Sequence, residues 1–251
     1  MRFRLKAFGL HLLASTVALM LIFGALYLGW YRWPGWYLAD VSQVVLVMAG
    51  VDLVGGPLLT FIIAGANKPR RVLARDIAMI VVIQLVALAY GTMSIWNGRP
   101  LYYAFSENVL QVVQAYDISP DELALARRQK TALAPHFYSL PRWIWAPLPQ
   151  ESHERERIVA SAVTGGDDVI SMPRYFKPWE QGLPALRAQL KKVDELGYFS
   201  AADKKVLEEH MRAKGLSPDQ LNSIPLTGRG HPLLAVFDPT SLKIAAILKA
   251  K

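Results

Sequence analysis

The amino-acid sequence predicts a membrane protein of three transmembrane α-helices followed by a periplasmic α+β domain with a small antiparallel sheet. Three observations carry that class. Apolar residues make up 53% of the 251-residue chain, yet the long apolar runs all lie before residue 97. With one exception, Asp52, the charges of that first part stand between the runs and not within them. From Asn97 onward charged residues return at the density of a soluble domain. The predicted division is a three-span transmembrane domain over 1–96 and an outer domain over 97–251.

A hydrocarbon core about 30 Å thick needs roughly 20 apolar residues to cross as a helix. AFGLHLLASTVALMLIFGALYLGW (7–30), VVLVMAGVDLVGGPLLTFIIAGA (44–66) and IAMIVVIQLVALAYGTMSIW (77–96) meet that length, and the third has no charge. A core helix of a soluble protein would show a polar face every third or fourth residue, and none of the three does. The first run is longer than a secretory h-region and ends without a small-x-small site, so it is expected to stay as an uncleaved anchor. Lys and Arg in short loops remain cytoplasmic. Arg2, Arg4 and Lys6 precede the first span, and Lys68, Arg70, Arg71 and Arg75 fill the link between the second and third, whereas the first link holds only Arg32. Both tests put the N-terminus in the cytoplasm and 97–251 on the far side. In the first link Trp30, Tyr31, Trp33, Trp36 and Tyr37 read as interfacial anchors, with a substrate-stacking platform as the sharper alternative.

Asp52 is the only acid within the spans, in VDLVGGPLLT. A lone ionised Asp at mid-helix costs about 2.5 to 3.5 kcal/mol on insertion scales, so it must face other helices, be protonated, or both. Counting depth from the helix ends gives Gln84, Tyr90 and Thr16 as candidate partners. Pro57 is expected to leave the carbonyl of Leu53 without its helical donor, and Gly50, Gly55 and Gly56 would let backbones approach. Two readings stand: an interhelical staple, or a receiver for a polar group on another protein's transmembrane helix. A catalytic aspartate pair and a carboxylate relay both need a second intramembrane acid, which is missing.

The chain has no cysteine, which excludes a disulfide framework and thiolate metal sites. Its net charge of +8 is largely topogenic. Eight of the 28 basic and three of the 20 acidic residues lie in 1–96, leaving the outer domain near balance and nucleic acid an unlikely partner by charge. In that domain LYYAF and VLQVVQAY around Ser106-Glu107-Asn108 predict a hairpin. ISPDELALARRQK starts a helix, with Ser119 as N-cap and Pro120 at its first position. LAPHFYSLPRWIWAPLPQ is proline-punctuated and expected to be irregular. Helices follow at ESHERERIVASAV, stopped by Gly165-Gly166, at LPALRAQLKKVDELG and at SAADKKVLEEHMRAKG. HPLLAVFD and LKIAAILKA around Pro239-Thr240-Ser241 predict a second hairpin, giving a sheet with helices on one face.

The five histidines, His11, His136, His153, His210 and His231, include no pair at metal-ligand spacing. His153 in SHERER reads as a solvated charged face and LTGRGHP as a flexible turn. No nucleophile elbow, P-loop or dinucleotide fingerprint is present, and no cofactor or metal is expected.

The stretches AGVDLVGGPLLT, NKPRRVLARDIAMIVVIQLVALAYG and NGRPLYYAF, in this order after a basic start, a first span and a Trp/Tyr-rich link, resemble the type IV pilin accessory proteins, the TfpX/TfpZ group, also called fimbrial assembly proteins. DVISMPRYFKPW and the closing strand pair are weaker echoes. The resemblance implies an inner-membrane protein that assists pilin stability or delivery to the pilus assembly machinery, with no enzymatic activity. Its partners would be a type IV pilin, through transmembrane helix and periplasmic head, and the lipid bilayer. It carries over to Asp52, Gly56, Pro57, Lys68, Pro69, Arg75, Asp76, Gln84, Tyr90, Gly91, Arg99 and Pro100. Asp52, Gly55, Gly56, Pro57, Gln84, Tyr90 and Arg99 are thus the candidate partner-binding residues. The alternative is a membrane-anchored enzyme, transporter or envelope sensor whose site lies in the outer domain, with His136, His153 and His231 as its test positions.

Overall fold

The computed structural model describes residues 1–65, 68–192, 205, 208–209, 211–213, 215, 221–230, 232–238 and 240–249. The chain divides into two compact units, Met1–Arg32 with Asp40–Gly98 and Trp33–Ala39 with Arg99–Lys251.

The first unit is helical. α1 (Arg2–Leu26) runs on through a π-helical turn (Tyr27–Tyr31). α3 (Ser42–Ala49), a second π-helical turn (Gly50–Gly55) and α4 (Gly56–Ile63) form one continuous helix, and α5 covers Arg70–Asn97. At 30, 22 and 28 residues, these three helices are long and apolar enough to cross a membrane. Their most apolar stretches are 11%, 28% and 11% buried within the molecule, so the second is the central helix and the other two turn most of their surface outward. It buries Met48, Asp52, Gly56, Pro57 and Thr60 along one stripe, against Ile80, Gln84, Gly91 and Ile95 of α5 and against α1. Gly91 gives the Met48 side chain its room, because a β-carbon would stand 2.4 Å from the Met48 sulfur and that side chain would have to shift. At one end of the unit Tyr31 donates to the carbonyl of Ile95 at 2.6 Å and Trp30 meets Trp96 edge-on at 4.9 Å.

The second unit is built on a sheet that is neither small nor purely antiparallel, which corrects the expectation. Among the described residues its strands are β1 (Pro100–Ser106), β2 (Val109–Gln114), β3 (Arg142–Trp145), β4 (Lys177–Pro178), β5 (Lys191–Lys192), β6 (Asn222–Thr227), β7 (Leu233–Phe237) and β8 (Ile244–Lys249). The order is β4-β3-β1-β2-β6-β7-β8, with β5 also paired to β6. Sequence-local pairs are antiparallel, as the β1–β2 and β7–β8 hairpins predict. The long-range pairs β1–β3 and β2–β6 are parallel. β3 lies in the segment expected to be irregular, and β6 carries Pro225. That proline is accommodated because β5 pairs with residues 222–223 and β2 with 226–227, so it stands in the gap between those two ladders.

Helices cover both faces of the sheet, not one. α8 (Trp179–Gln189) buries Leu186 among Tyr103, Phe105, Leu110, Val112, Ile224 and Phe237. On the opposite face Tyr102, Ala104, Val113 and Ile144 meet Ile118, Phe176 and Leu123 of α6 (Pro120–Arg128). α6 begins at the predicted cap, the Ser119 hydroxyl accepting from the amide of Glu122. α7 (Ser152–Val163) ends ahead of Gly165, which has φ +83°, and the amide of Gly166 closes the turn on the carbonyl of Ser161. α8 starts earlier than predicted and stops at Gln189; the rest of that predicted helix, beyond β5, and most of the one predicted over 200–215 lie outside the described residues.

Trp33–Ala39 belongs to the second unit, where α2 (Gly35–Ala39) inserts Leu38, fully buried, into the core beside α8. The Leu38 carbonyl accepts from Gly230 at 3.0 Å, and the Ala39 carbonyl from Gln114. The stretch read as a flexible turn, LTGRGHP, is therefore the seat of this insertion: β-carbons at 228 and 230 would fall 2.5 Å and 2.1 Å from the carbonyl oxygens of Leu38 and Tyr37.

Candidate functional site

The site in the helical unit starts from a fault in helical hydrogen bonding. In the π-helical turn each amide reaches back five residues, and Gly56 donates to Val51. In that register the donor for the Asp52 carbonyl would be residue 57, a proline without an N–H. Gln84 of α5 meets the need from across the interface, its amide nitrogen lying 3.5 Å from the Asp52 carbonyl and 3.4 Å from a carboxylate oxygen of the same residue. With the nitrogen toward Asp52, Gln84 Oε1 is buried without a hydrogen-bond partner. Asp52 is 5% and Gln84 7% exposed.

Gly56 makes the arrangement possible, since a β-carbon there would overlap the Gln84 amide at 1.9 Å. Gly50 has open space around its missing β-carbon, and Gly55 has only a carbonyl of its own helix at 3.8 Å, so of the three glycines Gly56 alone permits the close approach. Pro57 is buried at the start of α4. Tyr90 is 79% exposed: six residues beyond Gln84 turn a helix by roughly 240°, which takes Tyr90 away from the interface despite its matching depth. Thr16 bonds back to Leu12 of its own helix. His11, not singled out by sequence reasoning, pairs instead, its Nδ1 lying 2.6 Å from the Thr60 hydroxyl. A polar residue four positions before Ser15 on the small-residue face of α1 was the available signal.

Between α1 and α5, over this pair, lies a groove of about 210 Å³ lined by His11, Ala14, Ser15, Ala18, Asp52, Val81, Gln84, Leu85 and neighbouring leucines. Four polar side chains, His11, Ser15, Asp52 and Gln84, thus share an otherwise apolar depression. Outside it, Lys68 and Asp76 form an ion pair at 3.0 Å near the start of α5.

In the second unit Arg99 is buried, donates to the Phe137 carbonyl at 3.0 Å and lies 5.9 Å from the Phe137 ring. A second polar centre went unread in the sequence. Arg174, within DVISMPRYFKPW, bridges Glu122 of α6 at 3.0 Å and Glu154 of α7 at 3.3 Å. Glu154 also accepts from Arg157 at 2.7 Å and from the Tyr175 hydroxyl. Hydrogen bonds from Arg157 and Tyr175 hold the Glu154 carboxyl down at about 2, while burial pushes Glu122 up. Glu154 is therefore part of a network joining two helices and the 173–175 turn, although its neighbour His153 is exposed as SHERER suggested. His136 is exposed too, and His231 lies outside the described residues. Among the described residues no group of three or more His, Asp or Glu is placed to hold a metal ion.

No protein-family model matches the chain. No solved structure matches it either. Curated relatives do, all from Dichelobacter nodosus. The fimbrial assembly protein of serogroup E1 is 25% identical over 241 residues, 94% of this chain and 91% of that protein. The fimbrial assembly protein of serogroup I is 28% identical over 192 residues, 75% and 72% of the two chains. The fimbrial assembly protein of serogroups C1 and C2 is 32% identical over 124 residues, 49% of this chain and 95% of that protein. With a relative at that identity covered almost end to end, the chain belongs to the type IV fimbrial assembly protein family.

Proposed function

We propose that this protein is a non-catalytic accessory factor of type IV pilus biogenesis that acts as a chaperone for pilin. It sits in the bacterial inner membrane with its N-terminus in the cytoplasm and residues 97–251 in the periplasm. The relatives' name, fimbrial assembly protein, supports a role in building pili, and likeness over 94% of the chain takes in both units. The outward surfaces of α1 and α5 support the membrane reading: Leu13, Leu21, Val82, Val86 and Met93 are exposed, an arrangement suited to lipid and costly in water.

The observation that carries the pilin reading is the groove over Asp52 and Gln84. Helix association in lipid depends on close packing and interhelical polar contacts, since apolar burial gains nothing against lipid tails. A depression floored by two buried polar side chains and walled by Ala14, Ser15 and Ala18 meets both requirements for a pilin's membrane helix, and the sheet unit would engage its periplasmic head. The test is made in cells. Removal of the protein should lower pilin level and surface piliation, and pilin should co-purify with the tagged protein from membranes. Unchanged pilin level, piliation and association would overturn the reading.

A further inference from the structure

Over residues 133–142 the sheet unit holds a short loop whose large apolar side chains are turned outward. Phe137, Tyr138 and Leu140 are 60%, 74% and 58% exposed, yet the backbone that carries them is fixed. The Phe137 carbonyl accepts from the buried Arg99 at 3.0 Å. At the near end the Leu133 carbonyl accepts from the Tyr102 hydroxyl at 2.6 Å and from Arg142 at 3.4 Å. A turn closes within the loop: the amide of His136 donates to the Ser139 hydroxyl at 2.8 Å, and the amide of Ser139 donates to the His136 carbonyl at 3.1 Å. Pro135 and Pro141 bracket it and stiffen the chain. Three apolar groups held outward in this way are unfavourable in water and favourable in a less polar surround.

The flank of the loop is basic. Residues 123–150 include no Asp or Glu, while Arg127, Arg128 and Lys130 stand exposed on the approach to it. Cations beside an aromatic tip are the composition of segments that lie at a bilayer surface, where the cations meet lipid phosphate and the rings enter the headgroup boundary. The tether to the helices is short as well. Arg99 follows α5 through Gly98 alone. Two peptide units and one arginine side chain reach at most about 17 Å, so the covalent chain keeps the Phe137 carbonyl within that distance of the end of α5, whatever the tilt of the sheet unit.

We propose that the 136–140 loop is a membrane-contact element: Phe137, Tyr138 and Leu140 enter the headgroup boundary of an anionic bilayer, and Arg127, Arg128 and Lys130 pair with lipid phosphates beside them. A soluble protein is the less suited occupant, because three side chains at one tip cover far less area than a stable protein interface needs. The inference rests on the membrane reading of α1 to α5 and adds a second attachment of the sheet unit to the bilayer, besides its covalent links to the helices.

The test uses the full chain in nanodiscs of mixed phosphatidylcholine and phosphatidylglycerol, with no other protein present. The chain has no native cysteine, so His136→Cys, Val163→Cys and Leu13→Cys each take a single polarity-sensitive dye. His136 stands in the loop, Val163 is an apolar position on α7 that is 82% exposed, and Leu13 lies within α1. Lipids spin-labelled near the headgroup should quench the dye at 136 roughly threefold more than the dye at 163. Phe137→Ser combined with Tyr138→Ser should bring the dye at 136 down to the level at 163. Quenching at 136 no greater than at 163, or unchanged in the double variant, overturns the proposal. So does a dye at 136 that is shielded only when purified pilin is added, which would make the loop a protein-docking surface. Leu13→Cys separates the two claims: quenching by lipid at 13 and not at 136 sinks the loop contact alone, whereas no lipid quenching at 13, with labels placed at any depth, removes the membrane reading as well.

Discussion

The side-chain amide of Gln84 occupies the space where the β-carbon of any other residue at position 56 would stand, 1.9 Å away. Gly56→Ala should therefore push the Gln84 amide off Asp52 and destabilise the helical unit by about 1–3 kcal/mol, the cost of leaving buried polar groups unpaired. In a Gln84→Ala background the same change should cost less, because the clashing amide is gone. Gly50→Ala serves as the control. Its β-carbon would meet nothing within 4 Å, so the change should be neutral or slightly stabilising through helix propensity. Thermal unfolding of the four variants in detergent provides the comparison, and equal costs for Gly56→Ala in both backgrounds would disprove the contact.

Leu38, within the first link, carries a prediction about the sheet unit. The side chain is fully buried in the core of the sheet unit, so Leu38→Ala should cost that unit roughly 2–5 kcal/mol. Gly230→Ala should disturb the same seat from the opposite side, since its β-carbon would meet the backbone carbonyl of Tyr37 at 2.1 Å and backbone cannot swing away as a side chain can. Tryptophan fluorescence of the full chain during heating should register both as a lowered transition. If Leu38→Ala leaves the melt unchanged, the insertion is wrong.

What could be read beforehand was whatever chemistry is local in the chain. The three long helices follow from run length, the start of α6 from Ser119 and Pro120, and the two hairpins from turns flanked by apolar runs. What escaped depends on partners distant in sequence. β3 is a short run between prolines, and its partners β1, some 40 residues earlier, and β4, more than 30 residues later, make it a strand. β6 was hidden by Pro225, tolerated because two short ladders leave a gap at that residue. At the candidate site, depth could be counted from the helix ends but rotation could not. Gln84 and Tyr90 therefore looked equivalent until the helix turn separated them. Glu154 looked solvated because Arg174, twenty residues away, could not be seen to fold onto it.

Arg99 links the start of β1 to the 131–141 segment through the carbonyl of Phe137. Phe137, Tyr138 and Leu140 are exposed there, so this bond holds an apolar stretch in a defined position. Arg99→Ala should loosen it, and limited chymotrypsin digestion of the full chain should cut at Phe137 or Tyr138 several times faster than in wild type. Arg99→Lys should rescue only in part, because one ammonium cannot reproduce the planar contact with the ring. Cleavage at the wild-type rate in Arg99→Ala would show that the stretch is held by other means.

The Arg174 network gives a pH dependence whose sign can be worked out. Glu154 has its carboxyl held at about 2 in the folded chain against an ordinary value of 4.5, first by its hydrogen bond from Arg157 and then by that from Tyr175. A depressed carboxylate contributes stability that is fully present above 4.5 and fades as pH falls toward 2. Glu122, pushed upward by burial, works in the opposite sense, and its share is largely common to wild type and Glu154→Gln. The difference between those two proteins therefore isolates Glu154. Wild type should melt higher than Glu154→Gln at neutral pH, and the gap should close progressively from about pH 4.5 to about pH 2. Salt should reduce it, since Arg157, whose hydrogen bond contributes most, is 48% exposed at its side chain and Glu154 25%. A gap that stays constant down to pH 2, or that widens, would mean that Glu154 is an ordinary surface carboxylate and that the two helices are joined by packing alone.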